Sequence, residues 1–333
     1  NNENYAHYPE VMEFYTGSDR TRNDAAELLI KDIQKITQSV ESKVGIPEDV
    51  NPFQRLKRKR NDEQIGNVIQ MLEDNLQKTK LPDRIKDAWV DKNYNPSKPY
   101  HQDVYKLMKN YSVTYLQEMI SIASKAMRNS DYIKPELKEA LFDSITKAWL
   151  AVVKVIYLIA PALARDGVAG YDGFDLQLDE SFNDNNVSDE ERLIDVIAAI
   201  PINILSWYKD DIYSAKLANL MYSKINNALN PIAKHLLIGI IVSEQPEKWA
   251  ENVRKYLADT DRNSYYFGNT LDMLLHKWKF DVMSEQDAAN TKLLYLAGMA
   301  KFYSGSNRLE MGQARNYRLN ALPDRDVKND DDA

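Results

Sequence analysis

The residues best suited to contact another molecule form one short basic run. Five of the six residues from 55 to 60 are cations: Arg55, Lys57, Arg58, Lys59 and Arg60. Lysine and arginine neutralise phosphates, so the run is a candidate nucleic-acid contact. It lacks the interleaved aromatic residues of a platform that stacks single-stranded bases. The alternative is a solvated helix face whose charge is offset by Asp62 and Glu63.

Signatures of catalysis are scarce in this chain. Cysteine is absent, which excludes thiolate zinc sites and cysteine nucleophiles. Asp272 and His276 are four residues apart and would share one helix face, so they are the best candidate for an enzyme site. A surface hydrogen bond is the alternative for this pair. Ser144 and Lys147 have the S-x-x-K spacing of penicillin-binding enzymes, but the companion motifs S-D-N and K-T-G are missing.

The glycine-rich and acidic segments match no ligand-binding motif. Gly167, Gly170 and Gly173 fit neither the dinucleotide-binding fingerprint nor the phosphate-binding loop. They follow a predicted helix, and we interpret them as a helix stop and a loop. The acidic stretch 172–191 lacks the spacing of a calcium-binding EF-hand. No cofactor and no bound metal are therefore expected.

Apolar residues recur with helical spacing along most of the chain, so α-helices are expected to position these residues. Prolines at three predicted helix starts support the assignment, because a first-turn proline gives up no hydrogen bond. Ser188 and Glu191 form the S-x-x-E pattern of a capping box. Helices are predicted at 24–44, 52–78, 101–128, 135–164, 188–201, 208–229, 231–243, 246–259, 268–280 and 285–304.

The most apolar segment, 148–164, decides the fold class. It contains Lys154 and Pro161 and falls short of the ~20 apolar residues that span a bilayer. A helix buried on all sides explains it better than a membrane-active or interface helix. The sequence therefore predicts an all-α fold, an irregular array of roughly ten helices around a central apolar helix at about 136–164.

Changes of composition predict the domain organisation. We expect an N-terminal arm (1–22), a helical region (23–174), an acidic connecting loop (175–191), a second helical region that packs on the first (192–322) and a disordered acidic tail (323–333).

The charge balance limits the classes of partner. The 333-residue chain has 50 acidic and 43 basic residues, a net charge of −7. This argues against nucleic-acid or membrane binding as a global property, although it allows a local basic patch. Residues 1–10 lack the basic and apolar regions of a signal peptide. An intracellular soluble protein without a membrane partner is expected.

Aromatic residues supply the positive indication of function. The chain has 20 tyrosines, and clusters such as 265–267 and Trp278 with Phe280 are either interface anchors or core residues. Tyrosine- and asparagine-rich helical segments such as 208–229 (YKDDIYSAKLANLMYSKINNAL) accompany the acidic balance. In these features and in length the chain resembles the small helical capsid proteins of double-stranded RNA viruses, of the partitivirus and cryspovirus kind.

The resemblance implies a shell of dimers that encloses RNA, with the run 55–60 facing the RNA and the protein located in the virion or the host cytoplasm. The first hypothesis is therefore a non-catalytic structural protein that forms homo-oligomers. The second is a helical nucleic-acid-associated or adaptor module that uses the run 55–60. The third is an enzyme of an unrecognised helical class, with Asp272 and His276 as its site.

Overall fold

Helices make up nearly all the regular structure of this protein. A computed structural model describes residues 23–54, 56, 112–129, 133–178, 187–227, 230–304 and 308–309. In these ranges the chain forms nine α-helices and one two-stranded antiparallel sheet. The predicted all-α class with roughly ten helices is thereby confirmed.

The chain divides into two compact units. The described residues of the first unit are 23–52, 112–129, 133–178 and 187–214, and those of the second are 53–54, 56, 215–227, 230–304 and 308–309. Of the acidic stretch 175–191, residues 175–178 and 187–191 are described, and they belong to the first unit.

The elements of the first unit are α1 (Asp24–Val44), α2 (Ser112–Asn129), α3 (Pro135–Asp166), β1 (Val168–Tyr171), β2 (Phe174–Gln177) and α4 (Asp189–Ile212). A short 3-10 helix, Pro52–Gln54, stands at the division between the units. The elements of the second unit are the 3-10 helix Ala215–Leu217, α5 (Ala218–Asn226), α6 (Pro231–Glu244), α7 (Trp249–Asp259), α8 (Tyr265–Phe280) and α9 (Glu285–Ser304).

The apolar helix α3 forms the core of the first unit, as predicted. It starts with Pro135 in the first turn and packs against α1, α2, α4 and β1. By length and composition alone α3 is long and apolar enough to cross a membrane, but 83% of its most apolar window is buried inside the protein. Its lysine is accommodated because Lys154 Nζ lies 2.8 Å from Glu41 Oε1 of α1. The apolar run therefore serves as a core helix here.

Local capping signals fix where α4 starts. Glu191 N donates to Ser188 Oγ at 3.2 Å, and Ser188 N donates to Glu191 Oε2 at 3.2 Å. This reciprocal pair is the capping box that the sequence predicts.

The end of α4 differs from the prediction. The helix was expected to reach Pro201, yet it continues through this buried proline to Ile212. Proline removes one backbone hydrogen bond, but burial of Ile204 and Tyr208 holds the following turns in the core. The single helix predicted at 208–229 is consequently wrong, because α4 takes its first residues and α5 covers only Ala218–Asn226.

The glycine-rich segment contains a β-hairpin that its sequence pattern did not predict. Gly167 ends α3 in a left-handed conformation (φ 73°), which confirms the predicted helix stop. Residues 168–177, however, form β1 and β2 rather than a loop. Asp172 (φ 50°) and Gly173 (φ 84°) are both left-handed, as a two-residue type I′ turn requires. An Asp-Gly pair between two strands is the sequence signal for this turn.

Asp172 ties the hairpin turn to α2 and α1. Its Oδ2 accepts hydrogen bonds from Ser112 N at 3.1 Å and from Ser112 Oγ, and it pairs with Lys43 Nζ at 3.1 Å. We expect Asp172→Ala to lower the free energy of unfolding by about 2 kcal/mol, because the cap of α2 and the left-handed preference are both lost. Asp172→Asn keeps both and should cost less than half as much, since the ion pair is half-exposed. Urea unfolding followed by circular dichroism measures both values, and equal losses would contradict this role.

Candidate functional site

The basic run lies outside the described residues. This applies to Arg55 and to residues 57–60, so the proposed nucleic-acid contact stays a prediction. Among its described neighbours Gln54 is exposed, Leu56 is buried, and the centre of the Phe53 ring lies 4.8 Å from that of Tyr265 and 5.9 Å from that of Tyr266. The chain next to the run is therefore anchored in the core of the second unit.

Neither candidate catalytic pair gains support from its surroundings. Asp272 and His276 are both exposed on α8, and the His276 ring lies 4.9 Å from that of Phe280. In the part of the chain that is described, no three histidine, aspartate or glutamate side chains are grouped so as to hold a metal. Ser144 is buried, and its hydroxyl donates to Ala140 O at 2.8 Å, whereas Lys147 is exposed to solvent.

A buried histidine in α6, which no sequence motif singled out, centres a hydrogen-bonded chain in the second unit. His235 Nε2 lies 2.8 Å from Asn269 Oδ1, and Nδ1 lies 3.2 Å from the hydroxyl of Tyr256. An amide oxygen only accepts, so Nε2 carries the proton and Nδ1 accepts from Tyr256. Burial lowers the pKa of His235 to about 4 and raises the pKa of Tyr256. The three side chains therefore form a neutral, fixed network.

Next to this network lies a half-open cavity of about 160 Å³, lined by residues of α5, α6, α7 and α8. Tyr256 and Tyr266 form part of its wall. The remaining polar side chains that line it are Asn226, Lys234, Asn252, Lys255, Asp259 and Thr260. The cavity thus presents two cations and one anion on a hydrogen-bonding wall.

A second buried polar group, the ammonium of Lys301, binds the backbone carbonyl groups at the end of α7. Lys301 of α9 is 1% exposed, and its Nζ donates to the carbonyl oxygens of Leu257 (2.8 Å), Ala258 (3.0 Å) and Thr260 (2.8 Å). The negative end of the α7 dipole also favours this cation. Its ammonium lies 5.2 Å from the ring centre of Phe267, and burial lowers its pKa. All three ammonium protons are used within the protein, so this site locks α9 to α7.

Exposed apolar side chains concentrate on the helical hairpin of α8 and α9. The structure describes five large exposed hydrophobic residues, of which all except Ile202 belong to this hairpin: Phe280, Val282, Leu293 and Tyr303. Phe280 and Val282 lie together at the connection between the two helices, whereas Tyr303 lies roughly 27 Å further along α9. We call the pair Phe280 and Val282 the α8–α9 surface. Phe280 is 51% and Val282 75% exposed. By contrast, Tyr266 and Phe267 of the aromatic cluster at 265–267 are buried, so that cluster contributes to the core.

No protein-family model, curated protein or solved structure matches this chain.

Proposed function

We propose that the chain is a non-catalytic structural subunit that associates with copies of itself. The observation that carries this proposal is the α8–α9 surface, where Phe280 and Val282 stand in water two residues apart. Burying such side chains is favourable by about 25 cal/mol per Å² of apolar surface. Neighbouring exposed apolar side chains mark interaction sites more often than single ones do.

Charge around this surface favours a second copy of the same chain as the occupant. Lys279 in the last turn of α8 and Glu285 in the first turn of α9 carry charges of opposite sign. Lys277 and Asp287 in the same turns are already bound within the chain, by Asp281 and by Trp249 Nε1. These two turns are joined by residues 281–284, so basic and acidic groups flank Phe280 and Val282. A two-fold axis sets one patch against an identical patch, which allows the basic side of one copy to meet the acidic side of the other.

The specific form of the proposal is a coat-protein subunit. Its support is the resemblance to helical capsid proteins together with an all-α scaffold of matching class. In this form dimers are the building block of a closed shell around RNA. Negative-stain images of the purified full chain are expected to contain closed particles or their dimeric building blocks.

Replacing the two most exposed residues tests the interface. We expect the double variant Phe280→Ser with Val282→Ser to dissociate into monomers at concentrations where the unaltered chain is associated, because it has much less apolar surface to bury there. Size-exclusion chromatography with light scattering measures the mass. Ile202→Ser is the matched control, since Ile202 is 54% exposed but belongs to α4. An unchanged mass in the double variant would contradict the assigned surface.

The basic run provides a separate test of RNA binding. It would face RNA in a coat protein, and it is the whole site in the alternative of a nucleic-acid-associated module. Changing Lys57, Arg58, Lys59 and Arg60 to alanine should flatten the dependence of log affinity on log salt by roughly 0.7 for every phosphate that the variant no longer neutralises. A gel-shift series with single-stranded RNA at several salt concentrations measures this slope. An identical slope would show that the run does not bind the RNA.

A further inference from the structure

We propose that the half-open cavity lined by α5, α6, α7 and α8 binds a phosphate group, either free or carried by a small molecule. This site is separate from the α8–α9 surface and does not depend on self-association. It rests on the placement of two lysines, the size of the space and the rigidity of its wall.

Lys234 of α6 and Lys255 of α7 both line the cavity. Neither ammonium group forms an ion pair or a hydrogen bond with any other residue that the structure describes. Both ammonium groups attract an anion that enters the cavity. Lysine binds phosphate as a point charge, and its three N–H donors suit the oxygens of that group.

The cavity has room for a phosphate group. Its volume is about 160 Å³, and a phosphate group has fewer heavy atoms than the benzene molecule that a cavity of about 150 Å³ accommodates. Because the cavity is half-open to solvent, the substituent of a phosphate monoester can remain outside it. The ligand is therefore inorganic phosphate or the phosphate end of a small monoester.

The wall that faces this space is held in place before any ligand enters. Tyr256 is fixed through its hydroxyl by His235. Thr260 Oγ1 donates to Tyr256 O at 2.6 Å, and Asn252 Nδ2 donates to Lys248 O at 3.0 Å. A wall that is already ordered loses little conformational entropy when a ligand binds.

Asp259 allows a test of how the charge of the cavity wall affects phosphate binding. It lines the same cavity one helical turn after Lys255 and makes no ion pair with that lysine or with Lys234. A carboxylate in this position repels an anion, so it weakens phosphate binding. Removing its charge must therefore tighten binding, whereas removing either lysine charge must weaken it.

The experiment is an NMR titration of the full chain at constant ionic strength with sodium phosphate, glycerol 3-phosphate and sodium acetate. Saturable shifts of the amides that line the cavity are expected with both phosphates and not with acetate. Tighter binding of glycerol 3-phosphate would identify a monoester as the ligand class, and equal affinities would identify inorganic phosphate.

Substitutions connect the titration to the cavity. Lys234→Gln and Lys255→Gln should each weaken phosphate binding roughly tenfold, and Asp259→Asn should tighten it about threefold. Lys292→Gln, on α9 away from the cavity lining, is the matched control and should leave the affinity unchanged. The absence of saturable shifts, or equal affinities in all four variants, would overturn the proposal.

Discussion

Lowering the pH from 6.5 to 4 is expected to destabilise the second unit by about 3 kcal/mol through His235 alone. The ordinary pKa of this histidine is 6.5, and burial lowers it to about 4 in the folded chain. Between pH 6.5 and pH 4 the unfolded chain therefore binds more protons at His235 than the folded chain does. The contribution of His235 to the free energy of unfolding is fully present above pH 6.5 and decreases as the pH falls toward 4. Below pH 4 this group causes no further loss of stability.

Two substitutions isolate this contribution from the many carboxylates that titrate in the same range. His235→Gln should remove the extra slope, because glutamine does not titrate. Asn269→Asp should reduce the slope, since a carboxylate 2.8 Å from Nε2 favours the charged ring and raises the pKa of His235. Urea unfolding at a series of pH values measures the dependence of the free energy of unfolding on pH. The indole signal of Trp249, which donates a hydrogen bond to Asp287, reports the unfolding of the second unit. The same slope in the unaltered chain and in His235→Gln would disprove this assignment.

Replacing the buried lysine of α9 should have an effect of similar size. Lys301→Met keeps most of the side-chain volume but leaves three carbonyl oxygens at the end of α7 without their donor. A hydrogen bond to a charged group contributes about 1.5–3 kcal/mol, and the three share one ammonium, so we expect a loss of about 3 kcal/mol in the free energy of unfolding.

A lysine on the same helix provides the control for this change. Lys292 Nζ lies 5.8 Å from the ring centre of Trp278, so Lys292→Met should cost no more than about 1 kcal/mol. Urea unfolding of both variants, followed by the same indole signal, gives the comparison. A loss below about 1 kcal/mol in Lys301→Met would mean that the three carbonyl groups are solvated as easily as they are bonded.

Helix starts were predictable because their signals are local. The bounds of α1 agree with the prediction, Pro135 and Pro231 open their helices, and the capping box at Ser188 forms as expected. Each of these depends on residues within one or two turns. The continuation of α4 through Pro201 was not predictable in this way, since tertiary burial outweighs the missing hydrogen bond there.

The polar sites could not be predicted because their partners are distant in the sequence. His235 binds Asn269 across 34 residues, and Lys301 reaches Leu257 at the end of α7 across 44. Such contacts leave no periodic pattern. A lone histidine inside the apolar run of α6 was the available signal, since a buried ring of this kind needs hydrogen-bonding partners.

The exposure of the α8–α9 surface was equally hidden in the sequence. In the sequence, an aromatic residue such as Phe280 is equally compatible with a place in the core and with a place in an interface. Only the packing separates them: Leu271 and Leu274 of α8 are fully buried, whereas Phe280 at its end is 51% exposed. Which face of a helix is exposed depends on the elements that pack against it. The spacing of residues within the helix does not contain this information.

The mass of the unaltered full chain in solution tests self-association most directly. One chain weighs 38.4 kDa. In sedimentation equilibrium over a series of protein and salt concentrations, self-association predicts a mass of at least two chains that increases with protein concentration. A mass of one chain at every protein and salt concentration would contradict it.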